Sequence, residues 1–107
     1  MPASPFHAIA DPTRRRILDL LRLAGPLRAG DLAASFPAIS RPGVSKHLRV
    51  LRGARLLRQE RRGRELWYQL DPQPLSQVEQ WLIEYEKFWQ ERLEALKKVV
   101  EQKANFE

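Results

Sequence analysis

The stretch "SRPGVSKHLRVLR", residues 40–52, has two faces. Val44, Leu48 and Leu51 recur at steps of four and three, the spacing of one buried stripe on a helix. Arg41, Lys46, Arg49 and Arg52 supply four positive charges with no negative one, and His47 adds a titratable ring. Ser40 and Ser45 contribute hydroxyls. Ser40 can cap a helix from about Arg41 to Gly53, and Pro42 lies in its first turn, where a missing N–H costs little. A helix that is apolar on one side and cationic on the other calls for a body behind it and a polyanion in front.

The flanking sequence supplies the body. Upstream, "ADPTRRRILDLLRLAGP" reads as a helix with both ends marked: Asp11 as N-cap, Pro12 at the first helical position, Gly25-Pro26 as the stop. Ile17, Leu18, Leu20 and Leu21 form its apolar face. "AGDLAASF" is a short second helix, poorly capped because Arg28 stands where a Ser or Thr would help. A "PAI" link leads to Ser40. Downstream the period changes to two. "LLRQE" and "ELWYQLD" are strand-like, with Leu66, Tyr68 and Leu70 alternating, and "RRGR" between them predicts a hairpin with a basic tip. Last comes "SQVEQWLIEYEKFWQERLEALKKVVEQK", a long amphipathic helix. Its stripe runs through Val78, Trp81, Leu82, Tyr85, Phe88, Trp89, Leu93, Leu96 and Val100. The stripe is longer than three short helices and a hairpin can cover, so part of it needs another partner.

At 107 residues the chain reads as one small domain with net charge +6. The charge is divided unevenly. Residues 1–64 hold 14 Lys and Arg against 4 Asp and Glu; residues 65–107 hold 5 against 9. A cationic part and an acidic part imply two different jobs. Cysteine is absent, which removes disulfides and thiolate metal sites. No apolar run is long enough to cross a bilayer and the N-terminus lacks a secretion pattern, so no membrane partner and a cytoplasmic location are expected. No nucleophile, base and pocket are placed together, so an enzyme is not expected.

Helix, short helix, tight link, cationic helix and basic hairpin make the order of a winged helix-turn-helix: mainly α with a small β-hairpin, plus a long C-terminal dimerisation helix. The whole chain is read as one such domain, with a DNA-binding core over 6–71 and the dimerisation helix over 72–104. In this layout the cationic helix enters the major groove and leads with its N-terminal residues. The expected DNA-binding residues are Ser40, Arg41, Pro42, Val44, Ser45, Lys46, His47 and Arg49, with Arg61, Arg62 and Arg64 on the wing. The expected partner is double-stranded DNA carrying an imperfect inverted repeat.

"FHAIADPTRRRILDLL", "GDLAASF", "ISRPGVSKHLRVLR" and "GRELWYQLDP", in this order, resemble the ArsR family of bacterial transcriptional repressors, over about residues 6–90. The resemblance implies a homodimer joined through the first and last helices that represses its own operon. The interface residues are then Phe6, Trp81, Leu82, Tyr85, Phe88, Trp89, Leu93 and Leu96. Two departures stand out. Metal-sensing branches carry a Cys-x-Cys on the recognition or preceding helix, or carboxylate and His pairs on the last. Here "AGDLAASF" has no cysteine, the last helix has no His, and only His7 and His47 occur, so no metal and no cofactor are expected. Relatives also read "LxxAGL" after the recognition helix, whereas this chain reads "LRGARL", with Arg55 in the Gly position. Either the cap forms around Gly53 or Arg55 takes a positive φ.

Several residues have a plainer reading beside the functional one. His47 serves a phosphate or an inter-helix hydrogen bond. The wing arginines are DNA contacts or a solvated turn. The aromatic stripe is subunit packing or a ligand pocket. Arg14, Arg15 and Arg16 touch DNA backbone, form a solvated face or pair with the acidic tail. The rival to duplex DNA binding is a winged-helix module for a protein or another nucleic acid. Single-strand binding needs stacking aromatics beside the cations. The cationic part holds only Phe6 and Phe36, both read as core; Trp67, on the wing strand, is the one exception, which favours duplex DNA.

Overall fold

A short helix, α1 (Pro5–Ile9), precedes the elements read from the sequence. The Ser4 hydroxyl caps it by accepting from the Phe6 N–H at 3.1 Å, and Pro5 takes the first helical position. Five residues are too few for an apolar period to show. Helix α2 (Pro12–Ala24) begins as expected: the Asp11 carboxylate accepts from the Arg14 N–H at 3.0 Å. It stops at Gly25, whose φ of 81° is readily open only to glycine. The computed structural model describes residues 3–106, with side chains through Ala104.

Pro26 extends the chain into strand β1 (Leu27–Arg28), and α3 (Ala29–Ala34) follows at once, with no side-chain cap from Arg28. Helix α4 (Arg41–Gly53) is the cationic helix. Strands β2 (Leu57–Arg62) and β3 (Glu65–Leu70) form the wing. The sheet is three-stranded and antiparallel, in the order β1-β3-β2: the hairpin read from the sequence, with β1 added at its edge. Leu27 pairs with Tyr68 and Arg28 with Trp67. A two-residue strand has no pattern of its own; its partner forty residues away defines it.

The core gathers the apolar stripes of these elements. Ile17, Leu18 and Leu21 of α2 meet Leu32 of α3, Val44, Leu48 and Leu51 of α4, and Tyr68 of β3. Burying one such side chain stabilises the fold by about 1.5–3 kcal/mol. The end of α4 settles the Arg55 alternative. Arg55 has φ 62° and takes the left-handed cap position itself. The Leu56 N–H donates to the Leu51 carbonyl and the Arg55 N–H to the Arg52 carbonyl, both at 3.0 Å. This is a Schellman motif, with fully buried Leu51 and Leu56 as its apolar pair.

The chain divides into two compact units, Met1–Ser76 and Gln77–Glu107. Helix α5 (Leu75–Phe106) starts in the first, where Leu75 packs on the core, and makes up the second. Its 32 residues span about 48 Å. The large apolar side chains Trp81, Leu82, Tyr85, Phe88, Trp89, Leu93 and Leu96 each keep 40–65 % of their surface exposed. The Trp81 and Tyr85 rings meet along the helix with centroids 5.1 Å apart and planes tilted by 60°. No helix among the described residues is long and apolar enough to cross a membrane.

Candidate nucleic-acid interface

The N-terminus of α4 is built by three residues. The Ser40 hydroxyl accepts from the Gly43 N–H at 3.2 Å. Ile39, just outside the helix, packs on the core. Gly43 lets it do so: a Cβ there would lie 2.8 Å from Ile39 Cγ2. Sequence reasoning missed Gly43. Its signal was a glycine inside the first turns of a helix, which costs about 1 kcal/mol relative to alanine without a packing reason.

From that anchored start, Arg41, Pro42, Ser45, Lys46 and Arg49 are exposed. Among the described residues, none offers Arg41, Lys46 or Arg49 a hydrogen bond or ion pair. Arg41 and Ser45 stand at a cleft of about 180 Å³ between α3, α4 and β3, lined also by Gly30, Ala33 and Leu66. Arg52, one turn further on, is bonded to Gln59 of β2. Val44 is 2 % exposed and belongs to the core, and it forms part of the floor of that cleft. His47 turns to the other flank, where its Nδ1 lies 3.9 Å from Asp11 Oδ2.

The wing is also rearranged relative to expectation. Arg61 and Arg62 belong to β2, and the turn is only Gly63 and Arg64. Gly63, at φ 62°, leads the two-residue turn, and Arg62 pairs across it with Glu65. Adjacent strand residues point to opposite faces, so Arg61 and Arg62 cannot act together. Arg62 lies over the Trp67 ring at 4.7 Å and reaches Glu60 at 3.3 Å. Arg28 approaches the same ring at 6.0 Å and bridges Asp31 at 3.0 Å and Glu65 at 3.5 Å. Trp67 is thus engaged by two guanidiniums. Arg61 and Arg64 remain exposed and make no such bond.

The first-helix arginines serve structure. Arg14 Nε donates to the Ala8 carbonyl at 2.7 Å and Arg14 Nη2 to His7 at 3.0 Å. Arg15 donates to the Ile9 carbonyl at 2.7 Å, and Arg16 lies 5.5 Å from the Phe36 ring centre. Together they bind α1 and the link after α3 to α2.

A helix-turn-helix domain model matches residues 9–60. The transcriptional repressor SdpR of Bacillus subtilis (strain 168) is 41 % identical over 80 residues, covering 75 % of this chain and 87 % of the relative. The HTH-type transcriptional regulator Rv2034 of Mycobacterium tuberculosis is 44 % identical over 89 residues, covering 82 % and 78 %. The crystal structure of the ArsR family transcriptional regulator RHA00566 superposes with a TM-score of 0.69 at 34 % identity, covering 79 % of this chain and 91 % of that one. The chain belongs to the ArsR family of transcriptional regulators.

The matched helix-turn-helix region takes in α2, α3 and α4 and runs into β2. Among the described residues, no three His, Asp or Glu side chains gather into a metal-ligating group. The electrostatics at Asp11 are specific to this site. The Arg14 backbone N–H holds its carboxyl below the ordinary carboxylate range, against a smaller opposing push from burial. A carboxyl held low in the fold stabilises it at neutral pH, and that contribution is lost as pH falls through the acid range.

Proposed function

We propose that this ArsR-family chain is a homodimeric repressor that reads an imperfect inverted repeat in duplex DNA and uses no metal effector. The observation that carries the reading is the row of exposed cations on α4, Arg41, Lys46 and Arg49, which no group among the described residues pairs with. Arginine and lysine match the acceptor edges of guanine, and the Ser40 and Ser45 hydroxyls serve bases or phosphates. The Ser40 oxygen accepts the cap bond and leaves its O–H free to donate. Pro42 lies against the groove wall. Arg61 and Arg64 take phosphate or the adjacent minor groove, while Arg62 keeps the wing in shape.

The repressor role is supported by the name of the B. subtilis relative. Homodimerisation is supported by the exposed stripe of α5, with Phe6 of α1 at 39 % exposure on the first-helix side. Two recognition helices must lie about 34 Å apart to read a two-fold site, which calls for a two-fold subunit contact. Metal independence is supported by a sequence with no cysteine and two histidines. The test is a gel-shift and footprint on DNA upstream of its own gene, with Zn²⁺, with Ni²⁺ and with a chelator. One protected inverted repeat and one affinity in all three conditions are expected. A large metal-dependent change, or protection of a single half-site, would contradict the proposal.

A further inference from the structure

His47 lies on the recognition helix yet turns away from its DNA-facing row. At roughly 100° per residue it falls on the flank opposite Arg41, Ser45 and Arg52. Its side chain is 24 % exposed, and its Nδ1 lies 3.9 Å from Asp11 Oδ2. That same oxygen accepts the Arg14 N–H at 3.0 Å and so caps α2. One carboxylate therefore meets the N-terminus of α2 and the middle of α4.

We propose that His47 is a positioning residue, a proton-dependent strut whose imidazolium pairs with Asp11 and holds α4 at the angle that brings Arg41, Lys46 and Arg49 to DNA. The inference rests on the DNA-binding reading of α4.

The surrounding charges leave Asp11 as the partner. From α2 come Asp11, Arg14, Arg15 and Arg16, with Asp19 two turns on, 3.9 Å from Arg22. The Arg14 and Arg15 guanidiniums are committed to carbonyls of α1, and Arg16 to Phe36. Helix α1 contributes one titratable side chain, His7, which is exposed. On α4 itself, Lys46 and Arg49 point outward. With the Arg14 N–H holding Asp11 low, its carboxylate is an anion throughout the neutral range. The proton-sensitive member is the imidazole, because the pair is an ion pair only when His47 carries its second proton. The pair is partly solvated and longer than a hydrogen bond, so its effect on affinity is about three- to fivefold.

The test measures operator affinity and urea unfolding at pH 6 and pH 8. The variants are His47→Gln, Asp11→Asn, their combination, and His7→Gln as control. Asn caps a helix about as well as Asp, so Asp11→Asn removes the charge and keeps the cap. Wild type should bind about three- to fivefold tighter at pH 6 than at pH 8, beyond any change in His47→Gln. Asp11→Asn should lose that excess, the combination should lose no more, and His7→Gln should keep it. In unfolding, the coupling between positions 11 and 47 should be present at pH 6 and absent at pH 8.

A pH response that survives Asp11→Asn overturns the proposal, because the imidazole then meets phosphate directly. A wild-type profile no steeper than that of His47→Gln overturns it too. The two possible failures separate. Wild type that forms no operator complex at either pH defeats the DNA reading and the strut's role with it. Wild type that binds with a response unaltered by Asp11→Asn defeats the strut alone.

Discussion

Helices α4 and α5 follow the same amphipathic rule and leave opposite needs unmet. In α4 the apolar stripe is satisfied inside the chain: Val44, Leu48 and Leu51 are all 4 % exposed or less. Its polar face is not, since Arg41, Lys46 and Arg49 carry charge that no group among the described residues answers. In α5 the polar face needs nothing beyond water, being rich in Glu79, Glu84, Glu86, Glu91 and Glu94. Its apolar face keeps Phe88 65 % and Leu96 60 % exposed. The face left unmet tells the class of partner: a polyanion for α4, another apolar surface for α5.

The harshest way to break this comparison is to make the two faces of α5 alike. Phe88→Asp with Trp89→Asp should give a monomer by sedimentation, with operator affinity down about 100-fold or more, because two linked half-site contacts become one. A dimer that still binds would place the subunit contact elsewhere, most directly on α1. A smaller effect sharpens the wing. Arg61→Ala and Arg64→Ala should each lower the slope of log K against log salt by about one unit if each meets a phosphate. Arg62→Ala should leave that slope unchanged, since its guanidinium belongs to Trp67 and Glu60. Slopes unchanged from wild type in all three variants would return the wing tip to solvent. The smallest effect lies at the end of α4. Arg55→Gly should stabilise the fold by up to about 1 kcal/mol in urea unfolding, because a left-handed φ of 62° costs an arginine what it does not cost a glycine. A loss of stability would show that the Arg55 side chain contributes more than its backbone conformation costs.

Local chemistry made much of this fold legible. Asp11 and Ser40 as caps, Pro12 and Pro42 in first turns, Gly25 as a stop and the weak start after Arg28 are read residue by residue, and each stands where its chemistry put it. What escaped reading depends on residues far apart in the chain. Strand β1 exists because Tyr68 and Trp67 lie beside it. The roles of Arg14 and Arg15 follow from an α1 helix too short to announce itself. Arg62 differs from Arg61 only through strand register, which "RRGR" does not contain. Val44 was legible as core, because the stripe that identified α4 placed it inside.

The central claim is that the exposed cations of α4 read bases. The direct measurement is the affinity of Arg41→Ala and of Lys46→Ala for operator and for random duplex at one salt concentration. A base contact predicts a loss of about 1–3 kcal/mol on operator, little loss on random DNA, and relaxed preference at one position. Equal losses on both DNAs would contradict the claim and reduce α4 to a phosphate clamp.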